Sequence, residues 1–257
     1  MEATPGAEMT GRASSGSEPV PDRALAGGAA SGPHATHRTD TARPLRVERP
    51  GTIPYAEGLE LQRRLVERRR SGEVPDTLLL LEHPHVITLG TSAHRENILI
   101  DDAEGRLLGI DVFETGRGGD VTYHGPGQLV GYPILDLKPD RCDLHRYVRD
   151  LEEVLIRGLS AFGIAAGRKD GMTGAWVGAE KVAAIGVRVS SGWITSHGFA
   201  LNVTTDLSYF GSIIPCGITS FGVTSMERLM GGAPPMADVE AAVVDAFCDV
   251  FNAALEA

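Results

Sequence analysis

Three apolar runs in the second half of the chain constrain the fold most strongly, because only short turns separate them. They are AWVG (175–178), KVAAIGVRV (181–189) and ITSHGFALNV (194–203). The turn signals G-A-E and S-S-G-W lie between them, and connections this short join neighbouring antiparallel strands. The segment therefore predicts a β-meander and favours an antiparallel arrangement over a doubly wound parallel sheet.

Helical and strand patterns alternate irregularly around this meander. Apolar residues recur at helical spacing in three segments, which begin near Tyr55, after Asp143 and near Ala237. Short apolar runs typical of strands occupy 77–83, 85–90, 112–114 and 128–137. We therefore predict one α+β domain over 46–257, with a mixed, largely antiparallel sheet and flanking helices.

Residues 1–45 differ from the rest, because they are rich in Gly, Ala, Ser, Pro and Thr and have few large apolar side chains. Such a segment buries too little surface to offset the entropy of ordering, so it is predicted to be a disordered N-terminal extension. No apolar run reaches the ~20 residues that span a bilayer. The net charge of −10 argues against nucleic acid as the main partner.

The cysteine pattern suits a reducing compartment, and the protein is expected to be cytoplasmic. The three cysteines are odd in number and far apart, which does not suit a disulfide framework. They form no C-x-x-C pair, so no structural metal is expected.

The segment R-G-G-D-V-T-Y-H-G-P-G-Q (117–128) is a candidate binding loop. Its glycines are expected to let a ligand approach the main chain closely. It matches neither the phosphate-binding Walker A pattern nor the dinucleotide pattern. The alternative is an ordinary Gly/Pro-rich turn between two strands. Arg117 and His124 favour the binding loop.

Cys216, in Pro-Cys-Gly, is the candidate nucleophile, because a cysteine in a fixed turn is suited to acyl chemistry through a thioester. The alternative for any lone cysteine is a small buried apolar residue, and Cys248 in the last helix fits that description. Cys142 precedes a helix, whose dipole favours a thiolate, but Asp140 and Asp143 oppose one.

Lys181 is the candidate activating group, because it begins an apolar strand where desolvation would lower its pKa. A solvated lysine at the end of a hairpin is the alternative. His124 and His197 are rival bases. His197 alternates with Phe199 and Leu201, which also suits a hydrogen-bonded core histidine.

Taken together, six segments resemble the lipoyl(octanoyl) transferases, the octanoyl-carrier-protein:protein octanoyltransferases. They are LEHPHVITLG (81–90), RGGDVTYHGPGQ (117–128), EKVAAIGVR (180–188), HGFALNV (197–203), IPCG (214–217) and GVTSME (222–227). The resemblance covers about residues 48–250.

This resemblance implies a fold shared with lipoate and biotin protein ligases and a two-step acyl transfer without a cofactor. Octanoyl would pass from acyl carrier protein to the cysteine, and then to a lysine of a lipoyl domain. The acceptors would be E2 subunits of 2-oxo acid dehydrogenases and the glycine-cleavage H protein. Cys216 would be the nucleophile and Lys181 its partner. The implied substrate-binding residues are Arg117, Gly118, Gly119, Asp120, Val121, Thr122, Tyr123, His124, Ala184, Ile185, Gly186, Gly198, Phe199 and Ala200.

Two other functions stay open on the sequence. An ATP-dependent lipoate–protein ligase would share the glycine-rich loop but would need no cysteine. A non-catalytic acyl-binding protein would need neither Cys216 nor Lys181. Some of the alternating residues Ile185, Val187, Phe199 and Leu201 are expected to line a tunnel for an eight-carbon chain. Arginines 63, 64, 68, 69 and 70 on the first helix are a candidate docking patch for an acidic carrier, or else simply solvated.

Overall fold

The computed structural model describes residues 42–214 and 221–256, and within them the chain forms an α+β domain. Its strands are β1 (Arg43–Thr52), β2 (Asp76–Glu82), β3 (Val86–Leu89), β4 (Asp111–Glu114), β5 (Val121–His124), β6 (Gln128–Ile134), β7 (Gly167–Lys169), β8 (Met172–Val177), β9 (Glu180–Val189), β10 (Thr195–Asn202), β11 (Gly222–Val223) and β12 (Ala253–Leu255). Its α-helices are α1 (Tyr55–Arg70), α2 (Asp102–Leu108), α3 (Leu144–Ser160), α4 (Met226–Met230) and α5 (Met236–Phe251). Short 3-10 helices cover Arg95–Asn97 and Leu207–Ser212.

Polar side chains begin several helices. Asp101 and Glu104 form a capping box at the start of α2, and Asp143 accepts a hydrogen bond from the Arg146 N–H at the start of α3. Each satisfies backbone donors that a helix N-terminus leaves unpaired.

The described strands form a large sheet and a small one. The large sheet has the order β12-β1-β2-β6-β10-β9-β8-β7, with β11 pairing in parallel to β9. Strands β6, β10, β9, β8 and β7 are antiparallel neighbours, whereas β1 runs parallel to both β2 and β12. The small sheet has the order β4-β3-β5. The mixed, largely antiparallel sheet predicted from the sequence is therefore confirmed.

Two apolar clusters lie on opposite faces of the central strands. One face packs against α3 and α5 and includes Leu155, Phe199, Leu201 and Phe247. The other includes Ala200, Val130 and Tyr132 and packs against α1 through Leu65. Because successive strand residues point to opposite faces, alternate residues of β10 contribute to different clusters.

The predicted helices and the meander are confirmed, but two details of the sequence interpretation are wrong. Val121–His124 is not part of a loop: it forms β5, paired with β3. The first strand begins at Arg43, before the predicted domain start at residue 46. Leu45 of this strand is 1% exposed.

The arginines of α1 do not form a free basic patch. Arg63 pairs with Glu60 and Arg70 with Glu67, each one turn away on the same helix. Arg68 lies 3.5 Å from Glu73, and Arg69 lies 2.7 Å from Asp76. These carboxylates neutralise four of the five positions, which argues against this helix as the docking surface for an acidic carrier.

The start of β1 gives the first prediction. Deleting residues 1–45 removes Leu45 and the ion pair of Arg43 with Asp76, together with the pairing of β1 with β12. Losing one buried leucine alone costs roughly 2–5 kcal/mol. We expect the melting temperature, measured by circular dichroism, to fall by roughly 5–15 °C.

Deletion of residues 1–41 is the matched control, because it keeps the whole of β1. Its melting temperature is expected to stay within a few degrees of that of the full chain. Equal melting temperatures for the two deletions would contradict a structural role for the start of β1.

Candidate functional site

A cavity of about 110 Å³ lies between the large sheet and the segment that connects β4 to β5. Within the large sheet its lining comes from β6, β8, β9, β10 and β11. Its wall contains all but one of the binding residues implied by the sequence: Arg117, Gly118, Gly119, Asp120, Val121, Thr122, His124, Ala184, Ile185, Gly186, Gly198, Phe199 and Ala200. Lys181 lines the same cavity. The structure thus brings the segment 117–124 together with the β9–β10 hairpin, which is far from it in the sequence.

Small residues of β9 and β10 line part of this cavity. Gly186 lies opposite Gly198, and Ala184 lies opposite Ala200, so the two strands present small side chains at adjoining positions. The neighbouring large residues Val187 and Leu201 do not line the cavity but pack into the cluster against α3 and α5. Of the four alternating residues from which part of an acyl tunnel was expected, the other two, Ile185 and Phe199, do line the cavity.

Glycines on both sides of the binding segment are explained by protein packing. The Gly118 N–H donates to Val187 O at 2.9 Å, so this backbone lies directly on β9. A Cβ on Gly186 would lie 3.0 Å from Gly118 O. On the other side, a Cβ on Gly90 would overlap Gly119 O. The backbone of this segment is therefore in close contact with other parts of the chain on both sides.

Three backbone hydrogen bonds hold the other side of this segment. The N–H groups of residues 90–92 donate to the carbonyl oxygens of Asp120, Arg117 and Gly119, at 2.9–3.1 Å. The Asp120 carboxylate accepts from Asn97 Nδ2 at 2.6 Å. The Asp120 carboxylate therefore binds the chain near Asn97.

Arg117 is 7% exposed and binds the small sheet. Its Nε and Nη2 donate to Thr88 Oγ1 at 3.1 and 2.9 Å, and Nη2 also donates to Thr88 O. Its Nη1 donates to Gly118 O at 3.1 Å. The guanidinium therefore fixes the loop to β3 while its side chain lines the cavity.

Tyr123 is the predicted binding residue that lies elsewhere. It is 1% exposed, its ring packs against Tyr209 and Phe210, and its hydroxyl lies 2.7 Å from His85 Nδ1. Alternation along β5 turns Tyr123 away from the face that carries Thr122 and His124.

His124 is a neutral ring within the cavity wall. Burial, followed by the nearby His83, lowers the pKa of His124 to about 3. Its Nδ1 lies 2.7 Å from Gln128 Oε1. Because an amide oxygen can only accept, Nδ1 carries the hydrogen.

His197 is a second buried ring, and burial followed by Arg117 lowers its pKa to about 4. Its backbone has a φ of 54°, which is uncommon for a residue other than glycine. The His197 N–H donates to Gln62 Oε1 at 2.7 Å, which stabilises this conformation.

Tyr55 and Tyr132 complete the polar end of the wall. Burial raises the pKa of Tyr55 to about 12 and raises that of Tyr132 well above its usual value. His83 Nδ1 donates to Ile53 O, and burial lowers the pKa of His83, so its Nε2 accepts from the Tyr132 hydroxyl at 2.8 Å. These groups are polar but uncharged at neutral pH.

Lys181 lies at an aromatic part of the wall. Its Nζ is 4.8 Å from the centre of the Trp176 ring, and Phe221 stacks edge-on against that ring. Val223 of β11 is the Cα partner of Lys181. The other half of the predicted catalytic pair, Cys216, lies outside the described residues.

The other two cysteines lie away from this wall. Cys142 is exposed, and its Sγ donates to Leu137 O at 3.6 Å. Burial raises the pKa of the Cys248 thiol. Neither residue lines the cavity.

Several lining residues were missed by the sequence interpretation: Tyr55, Tyr132, Met172, Trp176, Phe210, Phe221, Gly222 and Val223. Their apolar spacing is the same in a packed core and in a cavity wall, so the sequence has no signal that separates the two. Within residues 42–214 and 221–256, no group of three His, Cys, Asp or Glu side chains is arranged to hold a metal ion. In the same ranges, none of the helices is long and apolar enough to cross a membrane.

Comparison with known proteins extends these observations. Residues 54–248 match the family model for the lipoyl protein ligase A/B catalytic domain. An octanoyltransferase of Rubrobacter xylanophilus is 57% identical over 79% of this chain and 91% of its own length. An octanoyltransferase of Solibacter usitatus is 59% identical over 70% of this chain and 80% of its own length.

Among solved structures, lipoate-protein ligase A bound with ATP has a TM-score of 0.65 at 16% identity, over 84% of this chain and 87% of that one. At this identity the similarity shows the shared fold, which confirms the ligase-like architecture expected from the sequence. The chain belongs to the family of the lipoyl protein ligase A/B catalytic domain and, within it, to the lipoyl(octanoyl) transferases, which are acyltransferase enzymes.

Proposed function

We propose that the protein transfers an octanoyl group from the phosphopantetheine thioester of acyl carrier protein to a lipoyl-domain lysine, through a thioester on Cys216. The acceptors are the lipoyl domains of 2-oxo acid dehydrogenase E2 subunits and the glycine-cleavage H protein. The proposal includes a cytoplasmic location and no cofactor. Cys216 acts as the nucleophile and Lys181 as its partner.

One observation supports this proposal above all: Lys181 shares a largely apolar cavity with every implied binding residue except Tyr123. An aliphatic chain in such a cavity gains ~0.8 kcal/mol for each methylene removed from water. The residues beside Lys181 on β11 follow directly after Phe221, and Cys216 precedes Phe221 by five positions in the chain. The named relatives are octanoyltransferases, which agrees with this substrate.

The reaction consists of two successive acyl transfers. The Cys216 thiolate attacks the thioester carbonyl, a new C–S bond forms, and the carrier thiolate leaves and takes up a proton. The neutral amine of the acceptor lysine next attacks the acyl-enzyme, an amide forms, and Cys216 leaves as a thiolate while the amine loses a proton. The thioester donor is already activated, so the exchange needs no ATP. Lys181 would stabilise the thiolate by its charge.

The polar end of the cavity suits an acyl chain because its rings are neutral. His124 and His197 remain uncharged well below pH 7, and Tyr55 remains protonated well above it. These three rings therefore present no charge that an apolar chain would have to remove from water when it binds.

Intact-mass spectrometry tests the nucleophile. Mixing the protein with octanoyl-acyl carrier protein is expected to give an octanoyl adduct, which Cys216→Ala abolishes together with transfer to an apo lipoyl domain. Cys142→Ala and Cys248→Ala are the matched controls and are expected to keep both activities.

Transfer is expected without ATP or magnesium. An octanoyl adduct mapped to Cys142 would identify that residue, and not Cys216, as the nucleophile. Attachment of free octanoate that requires ATP, with no transfer from the carrier thioester, would instead identify a lipoate–protein ligase.

Lys181→Met tests the activating group, because it keeps most of the side-chain volume and removes the charge. We expect the pH midpoint for alkylation of Cys216 by iodoacetamide to rise, since a thiolate loses a stabilising cation. Lys169→Met is the control, because Lys169 Nζ also lies over Trp176, at 5.2 Å. Superimposable alkylation profiles for wild type and Lys181→Met would remove Lys181 from this role.

Because the buried histidines are neutral in the folded protein, we expect the protein to lose stability in acid. The pKa of His197 is about 4 in the folded protein and near 6.5 in the unfolded chain, so between these values the unfolded state binds more protons. Stability is therefore fully present above about pH 6.5 and falls as the pH is lowered. For one ring, the slope of the unfolding free energy against pH approaches about 1.4 kcal/mol per pH unit between pH 6 and 5.

His197→Asn measures this contribution, because asparagine tolerates a positive φ. In urea unfolding, the variant is expected to lose about 1.4 kcal/mol per pH unit from the wild-type slope. His145→Asn, at an exposed position on α3, is the control and is expected to keep the wild-type slope. A wild-type slope in His197→Asn would contradict the neutral buried ring.

A further inference from the structure

Two buried amide side chains connect the histidine of the cavity wall to the strand beside Lys181. Gln128 begins β6 and Asn202 ends β10, and they are Cα partners in the antiparallel ladder. Gln128 is 1% exposed and Asn202 is 4% exposed. We call these two side chains the amide bridge.

The hydrogen bonds of the amide bridge have one consistent direction. Gln128 Nε2 donates to Tyr123 O at 3.2 Å and to Asn202 Oδ1 at 2.9 Å. Asn202 Nδ2 donates to Thr224 O at 3.0 Å. A backbone carbonyl can only accept, so both amides are fixed in orientation. Gln128 Oε1 must then accept from His124 Nδ1.

This direction determines which nitrogen of His124 carries the hydrogen. Nδ1 donates to Gln128, and the ring is neutral because burial lowers its pKa to about 3. Nε2 therefore keeps its lone pair. The cavity wall gains a hydrogen-bond acceptor without gaining a charge.

The other end of the amide bridge reaches the strand of Lys181. Thr224 is fully buried, its O accepts from Asn202, and its N–H donates to Lys181 O at 3.0 Å. Thr224 directly follows β11, whose Val223 pairs with Lys181. The residues of β11 also line the cavity. The bridge therefore contacts both the binding segment and the backbone beside Lys181.

We propose that Gln128 and Asn202 are positioning residues that fix the Nδ1–H tautomer of His124 and the register of β11 against Lys181. For catalysis, this proposal rests on the proposed octanoyl transfer. Its structural part does not, because the tautomer is measured without substrate.

Nuclear magnetic resonance of protein labelled with ¹⁵N-histidine tests the tautomer in the full chain. At pH 7, two-bond ¹H–¹⁵N correlations are expected to show His124 with a protonated Nδ1 and an unprotonated Nε2. The His124→Gln spectrum assigns the signals. A wild-type ring with unprotonated Nδ1 and protonated Nε2 would overturn the proposal without any positioning variant.

Gln128→Leu is expected to shift His124 toward the Nε2–H tautomer, because the acceptor for Nδ1–H is gone. Gln62→Leu is the matched control: it also removes a buried glutamine, but one that binds His197. It is expected to leave the His124 signals unchanged. Unchanged His124 signals in Gln128→Leu would contradict the bridge.

Asn202→Asp separates the two ends, because it keeps an acceptor for Gln128 and places an oxygen against Thr224 O. His124 is expected to keep its tautomer, whereas kcat for octanoyl transfer falls about ten- to hundredfold with a smaller change in KM. Wild-type kcat in this variant would overturn the link to Lys181. Absence of transfer in the wild type would instead reject the proposed function and leave the tautomer result standing.

Discussion

The close packing of the Arg117–Asp120 backbone on β9 is the constraint on which the site depends. It requires a glycine on each side, since a side chain at Gly186 would crowd Gly118 O and one at Gly90 would overlap Gly119 O. This contact joins the small sheet to the large one, and the cavity lies where they meet. The buried Arg117 then fixes the same segment to Thr88 through side-chain and backbone acceptors. The glycines at these positions are therefore required for contact between the two sheets, whether or not a ligand is bound.

The histidines and tyrosines of the cavity wall are kept uncharged by burial, and hydrogen bonds to neighbouring groups fix two of the buried histidine rings at this end of the cavity. His83 takes its tautomer from Ile53 O, and His124 takes its tautomer from Gln128. A buried polar group costs free energy unless it is hydrogen-bonded, so each of these contacts also restricts how its ring can turn. The outcome is a wall that can direct hydrogen bonds while remaining compatible with an apolar chain. Lys181 adds its ammonium group at a different part of the wall, over Trp176.

The sequence predicts elements with strong local periodicity and fails where long-range contacts decide. The three long helices and the meander follow from helical spacing and turn residues. The pairing of β1 with β12 joins opposite ends of the domain, and no local pattern specifies such a partner. β5 was missed because glycine and proline surround it, although Val121 and Tyr123 alternate with Thr122. The start of α2 did have a local signal, the Asp101–Glu104 capping box. Within the site, Tyr55 and Tyr132 could not be told from core residues, since a cavity wall and a core share the same apolar spacing.

Strands β9 and β10 contribute both to the cavity and to the core against α3 and α5. Val187 and Leu201 face the core against α3 and α5, whereas Gly186 and Ala200 lie at the cavity. Ile185 and Phe199 line the cavity and also pack into that core, so the cavity and the core share part of their lining. A larger side chain at Ala200 changes the space for an acyl chain and also affects the cluster against α1, to which Ala200 belongs. A larger side chain at Gly186 is different, because it meets Gly118 O at 3.0 Å and separates the two sheets. We therefore expect the cavity to be reshaped more easily by substitution of Ala184 or Ala200 than by substitution of Gly186, which holds the binding segment on β9.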